Sequence, residues 1–116
     1  MSEVTIINLK NHVSGNTFAG HIFSAKDELG VAYDLTGATP TIVFRYGSAS
    51  GTIVSTMAIG TGLEWIDQSL GKFKISRQVI SWAIGKYFYE CAIVLADTTD
   101  TTPFRGGISI TIENNT

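Results

Sequence analysis

"GKYFYECAIVLADTTDTTPFRGGISI", Gly85 to Ile110, decides the fold. Taken in steps of two, Tyr87, Tyr89, Cys91, Ile93 and Leu95 share one face, while Phe88, Glu90, Ala92 and Val94 share the other, the alternation of a β-strand. Further on, Phe104, Ile108, Ile110 and then Ile112 fall on one side, with Arg105, Ser109 and Thr111 opposite. Turn-forming residues fill Asp97 to Thr102 between the two runs, so the stretch reads as strand, hairpin tip, strand. The second strand has one wet face. The first is apolar on both faces except at Glu90, so it is either central or covered on its outer side.

The same signature recurs outward along the chain. Val4–Leu9, Thr17–Ala25, Thr39–Tyr46, Thr52–Met57, Leu63–Ile66 and Lys72–Ser76 are rich in β-branched and aromatic residues and are predicted as strands, joining Tyr87–Ala96 and Phe104–Ile112. Glycine, serine, asparagine and aspartate cluster between them, as at Ser14–Asn16, Asp34–Gly37, Gly47–Gly51, Gly60–Gly62 and Asp67–Gly71. Arg77–Ala83 has helical spacing but is too short to matter; it reads as a crossover whose Val79, Ile80 and Trp82 plug one end of a sandwich. The expectation is an all-β, immunoglobulin-like antiparallel β-sandwich of about seven or eight strands without a disulfide, one domain spanning residues 1–116.

Composition narrows the function. Charged residues make up only 16% of the chain, which points to surfaces that meet other protein. Eight scattered basic residues and a net charge of −2 leave no patch for nucleic acid. The single cysteine, Cys91, has no partner for a disulfide and no companions for a zinc site. The opening residues lack the basic head and apolar run of a signal peptide, and no stretch approaches a membrane span, so synthesis and folding in a reducing cytoplasm are expected.

No motif for catalysis, metal or cofactor emerges. Tyr89-Glu90-Cys91 matches the Tyr-x-Cys of an immunoglobulin F strand, but the second cysteine and the core tryptophan are missing, Phe44 standing near the latter's place. His12 and His21 have no carboxylate or thiol at metal-ligand spacing, and Ser14 or Ser24 beside His21 lacks a nucleophile elbow. Asp97-Thr98-Thr99-Asp100 lacks the oxygen ligands of a calcium loop, and Gly60-Thr61-Gly62 and Arg105-Gly106-Gly107 read as backbone devices. Trp65, Trp82, Tyr33 and Tyr46 are the aromatics that sugar stacking would need.

Asp34-Leu35-Thr36-Gly37-Ala38, Gly51-Thr52-Ile53-Val54, Gly62-Leu63-Glu64-Trp65-Ile66-Asp67, Gly71-Lys72-Phe73 and Gly85-Lys86-Tyr87-Phe88-Tyr89 form an ordered series of turn and strand openings. The series resembles the small immunoglobulin-like module of tailed bacteriophages found at the N-terminus of baseplate upper proteins. Ser14-Gly15-Asn16-Thr17-Phe18 is similar to the Ser-Gly-Asp-Thr-Phe opening of free-standing forms in phages of Bacteroidetes, crAss-like phages included. The likeness covers Ser14 to Ile112; Trp82-Ala83-Ile84 departs from it, where relatives often carry Pro-Ala.

The resemblance implies a bacteriophage virion structural protein: a non-enzymatic attachment module of tail, baseplate or head, needing no cofactor or metal and partnered by other virion proteins and by copies of itself. Expected contacts are Trp82, Phe88 and Val94 on the over-apolar face, with Thr98, Thr99, Thr101 and Thr102 at the hairpin tip. The alternative is a carbohydrate-binding or host-adhesion β-sandwich.

Overall fold

The computed structural model describes residues 5–26, 29–96 and 100–111, with Thr5 and residues 100–103 described by backbone alone. Eleven strands form among them: β1 Thr5–Ile6, β2 His12–Val13, β3 Thr17–Phe18, β4 His21–Ser24, β5 Thr39–Tyr46, β6 Ile53–Ile59, β7 Gly62–Asp67, β8 Lys72–Ile75, β9 Gln78–Val79, β10 Gly85–Val94 and β11 Asp100–Thr111. A 3₁₀ turn at Gln68–Leu70 interrupts them. The chain is all-β and sandwich-like, and its one cysteine is free and buried.

The main sheet runs β1-β11-β10-β5-β6-β7-β8-β4, with β2 also on β11. It folds back on itself. β4 and β11 lie far apart in that order, yet the rings of Phe23 and Phe104 are 5.1 Å apart and those of Phe73 and Phe104 6.4 Å. One layer is therefore β1-β11-β10-β5-β6 and the other β7-β8-β4. Packing of their inner faces removes Phe23, Ile42, Phe44, Phe73, Tyr89, Cys91 and Ile93 from water. Burying so many large side chains, each worth about 1.5–3 kcal/mol, is what holds a disulfide-free sandwich together.

The corner between layers is the Gly60-Thr61-Gly62 device. Ala58 and Thr61 exchange backbone hydrogen bonds in both directions at 3.0 and 2.8 Å, closing a tight turn before the chain enters β7. Gly62 takes φ of +94°, and a Cβ there would sit 2.8 Å from Met57 Cγ, so both conformation and space require glycine.

β3 and β9 pair separately, Thr17 with Val79 and Phe18 with Gln78. That register continues the β4–β8 ladder, in which His21 faces Ile75 and Ser24 faces Lys72. The small sheet is thus the far end of the second layer, detached where Ala19-Gly20 lies opposite Ser76-Arg77. The Asp34 turn behaves as its residues demand: Thr36 donates its amide and hydroxyl to Asp34 Oδ1 at 2.9 and 2.6 Å, holding that carboxyl below its usual range, and Leu35 is anchored in the core.

β5 occupies the predicted Thr39–Tyr46, and β10 and β11 show the predicted alternation. Three expectations change. Thr101 and Thr102, placed on the hairpin tip by sequence, belong to β11, because Val94 pairs with Asp100 and Ile93 with Thr101, so the ladder climbs past the threonines. Arg77–Ala83 is an irregular crossover containing β9, which buries Ile80 and half-buries Trp82 but leaves Val79 exposed. Thr17–Ala25 is two strands rather than one. Thr98, Thr99 and Ile112 lie outside the described residues.

In the N-terminal segment β1 falls within the predicted strand Val4–Leu9 but is shorter, and β2 is an addition. β1 and β2 run parallel to β11, with Thr5 opposite Phe104 and His12 opposite Ile110. Between them Ile7 and Leu9 donate their amides to Arg105 and Gly107 at 2.8 Å, and the Gly107 amide donates to Asn8 Oδ1 at 3.0 Å. Gly106 is inward-facing, in step with Phe104 and Ile108. A methyl there would overlap the Ile7 carbonyl oxygen. That oxygen accepts the Tyr89 hydroxyl at 2.6 Å.

Candidate interaction surface

The immunoglobulin comparison ends at Tyr89. In that fold the corner tyrosine bonds backbone a few residues upstream, whereas Tyr89 reaches past Gly106 within its own layer to Ile7 and it is Tyr87 that bonds a near carbonyl, Ala83, at 2.6 Å. Burial raises both phenols above their ordinary range, the neighbouring Tyr46 adding to the effect at Tyr87 and Cys91 at Tyr89. Burial also pushes the Cys91 thiol up to about 12, so it stays protonated and unreactive as a small apolar filler.

The outer faces of the two layers differ. Across the second layer one row reads Ile22, Lys74, Glu64. Lys74 Nζ lies 3.2 Å from Glu64 Oε1, while Glu64 Oε2 accepts the Ser76 hydroxyl at 2.9 Å, so both carboxylate oxygens are engaged and its pKa lies below the usual value, the Ser76 bond contributing most. Across the first layer the rows read Gly107, Phe88, Arg45, Ile53 and Arg105, Glu90, Val43, Thr56, with Ala92 and Thr41 beyond. β10 is central, between β11 and β5, and nothing of the described chain lies over its outward side chains.

Phe88 is 37% and Val94 40% exposed. Because Gly107 faces Phe88 without a side chain, the surface is hollow there. The hollow, of about 390 Å³, is floored by Phe88, Val43 and Ala92 and rimmed by Ile6, Arg45 and Arg105. Arg45 is braced by donating Nη1 to the Gly51 carbonyl at 3.0 Å. The result is a mostly apolar floor that also carries Glu90, cross-strand from Arg105, with the braced Arg45 at its rim, chemistry that suits an apolar side chain carried beside an acidic one that meets Arg45.

Of the predicted contacts, the structure brings Phe88 and Val94 together on this face. Trp82 is not on it. Its indole lies on the inner side, 5.0 Å from the Phe44 ring and 5.1 Å from that of Tyr87, because the crossover folds over the end of the core rather than beside β10. Sequence reasoning missed Arg45, Arg105 and Ile6 as rim residues. The signal for two of them was the pairing of outward positions around Phe88; Ile6 needed the parallel strand β1.

The sugar-stacking candidates are dispersed. Trp65 is half-buried with its ring edge-on to Phe73 at 6.1 Å, and Tyr46 lies edge-on to Tyr87 at 5.1 Å with its hydroxyl 3.5 Å from the Ile84 carbonyl. His12 is buried and bonds the Asn16 carbonyl at 3.0 Å; His21 packs on Phe23 at 4.7 Å, and burial lowers its pKa. Ser14 donates its hydroxyl to the Trp82 carbonyl at 2.8 Å. Among the described residues no three His, Cys, Asp or Glu side chains gather as a metal-binding group, and no helix is long and apolar enough to cross a membrane.

No protein-family model and no curated protein matches the sequence. Among solved structures, CopC from Methylosinus trichosporium OB3b is similar with a TM-score of 0.49 and 9% identity, over 91% of this chain and 88% of that one, a likeness too distant to speak to function.

Proposed function

We propose that this chain is a non-enzymatic assembly module, a structural component of a bacteriophage virion that docks onto another particle protein through the outer face of β11, β10 and β5. One observation carries the docking reading: a central strand that exposes Phe88 in a hollow with Val43, Ala92 and Ile6, ringed by Arg45, Arg105 and Glu90, and exposes Val94 further along the same face. The virion setting is supported by the ordered series of turn motifs from Ser14 to Tyr89. The partner supplies an apolar anchor for the hollow and a carboxylate for Arg45.

The test is particle incorporation. Mass spectrometry of purified virions should find the chain. Phe88→Asp should abolish its incorporation, with a thermal melt of the purified variant checking that it stays folded and Phe88→Thr, which suits a strand, expected to lose incorporation as well. A chain absent from particles refutes the virion setting, and Phe88→Asp incorporated at wild-type level refutes the docking face. A glycan array on purified protein decides the carbohydrate alternative: reproducible binding lost in Trp65→Ala would replace this reading.

A further inference from the structure

The surface does not close at Phe88. A second hollow, of about 250 Å³, lies next to the first and is lined by Phe88, Gly107, Asn8, Asn11, Lys86 and Ser109. Asn8, Phe88 and Gly107 line both, so the two hollows form one groove along β10 and β11. Register gives its course: the pair Phe88 and Gly107 is followed outward by Lys86 and Ser109 in one direction and by Glu90 and Arg105 in the other. Gly107 has no side chain to divide the groove, and the N-terminal segment paired to β11 walls it with Asn8 and Asn11. From Lys86 to Ala92 the groove follows β10 for about 20 Å at roughly 3.4 Å per residue.

Charge selects what the groove takes. Its charged side chains are Lys86, Arg45 and Arg105 against Glu90, a positive surplus on a chain whose net charge is −2. Glu90 stands across from Arg105, which leaves Lys86 and Arg45 without a carboxylate in the groove. Resting on the docking face proposed above, we infer that the partner enters it as an extended acidic segment lying along β10. An apolar side chain of that segment seats on Phe88 and Val43, the neighbouring residue carries a carboxylate to Arg45, and a second carboxylate two residues from the apolar one meets Lys86. The spacing follows from strand geometry: side chains two apart on an extended chain share a face about 6.8 Å apart, and Lys86 and Phe88 are two apart on β10. A groove that tracks one strand fits an extended chain, and adding a segment this way uses alternate side chains for recognition.

Fluorescence anisotropy of the full chain with two labelled peptides tests this. Ser-Asp-Ser-Leu-Glu-Ser and its reverse, Ser-Glu-Leu-Ser-Asp-Ser, cover both directions along β10. One of them should saturate the protein below about 1 mM and bind about fivefold more tightly than its counterpart with asparagine and glutamine in place of the acids. Lys86→Glu, an exposed change outside the Phe88 hollow, should weaken that binding about fivefold and should lower incorporation into particles. Failure of both peptides to saturate, equal binding of the uncharged counterparts, or a single-stranded oligonucleotide that displaces the peptide at lower concentration overturns the inference. Particle incorporation separates it from the reading beneath it. If Phe88→Thr is excluded while Lys86→Glu enters like wild type, the docking face stands and the extended acidic occupant falls; if Phe88→Thr enters like wild type, the docking face itself falls.

Discussion

The two flanks of the sandwich handle the same problem in opposite ways. On the first layer the last long strand, β11, is sealed by a segment from the other end of the chain, held by a parallel ladder, by Asn8 and by the Tyr89 hydroxyl. On the second layer no described residue pairs with the outer side of β4. Sealing costs the ordering of about nine residues, each worth roughly 1–2 kcal/mol of backbone entropy; the edge of β4 incurs no such cost. The difference teaches that ordered contacts are concentrated where Gly106 admits the N-terminal backbone and are sparse along β4.

Among single substitutions the largest effect should come from breaking the seal. Gly106→Ala sets a methyl into the Ile7 carbonyl and against the Tyr89 ring, and should destabilise the chain by about 2–3 kcal/mol. Chemical denaturation measures the loss, and hydrogen exchange should show the Ile7 and Leu9 amides deprotected before those of β4.

Alkali probes the same side by titration. Both Cys91 and Tyr89 have folded pKa values raised above their unfolded ones, so the stability they contribute is complete below the unfolded value and is lost as pH climbs toward the folded one. Cys91 should therefore erode stability from its ordinary 9.0 up to about 12, at about 1.4 kcal/mol per pH unit, and Tyr89 should add to the slope above about pH 10. Tyr89→Phe removes that second contribution and, at neutral pH, costs about 1 kcal/mol for the lost bond to Ile7. A wild-type stability flat from pH 8 to 11 would refute the burial argument for both groups.

The smallest effect belongs to the bare flank. Ile22→Glu should move monomer stability by less than about 0.5 kcal/mol, since the side chain is exposed and gains Lys74 nearby. A larger loss in dilute thermal melts would mean that this edge is structural after all.

What was legible in the sequence follows the same division. Alternation in β10 and β11 and the bounds of β5 were readable because each residue there sees one dry and one wet side. β2 and β9 were not, because two residues carry no period, and neither was the parallel course of β1 nor the break between β3 and β4; those come from long-range bonds such as Ser14 to Thr111 and Gly15 to Ile80. Phe88 and Val94 could be assigned to an outer face by parity alone. Trp82 could not, since its side was decided by the path of an irregular crossover onto Phe44. The arginine rim escaped notice because register, not spacing, brings Arg45 beside Phe88.

The latch at Ile7 and Asn8 also orders events in time. Asn8 and Gly107 stand 99 positions apart, so a ribosome releases the N-terminal segment long before the strand it must close upon has been made. The 99 positions that separate the two must be translated before that seam can form, so the N-terminal segment waits unpaired while they are made and has to be shielded from its neighbours until then.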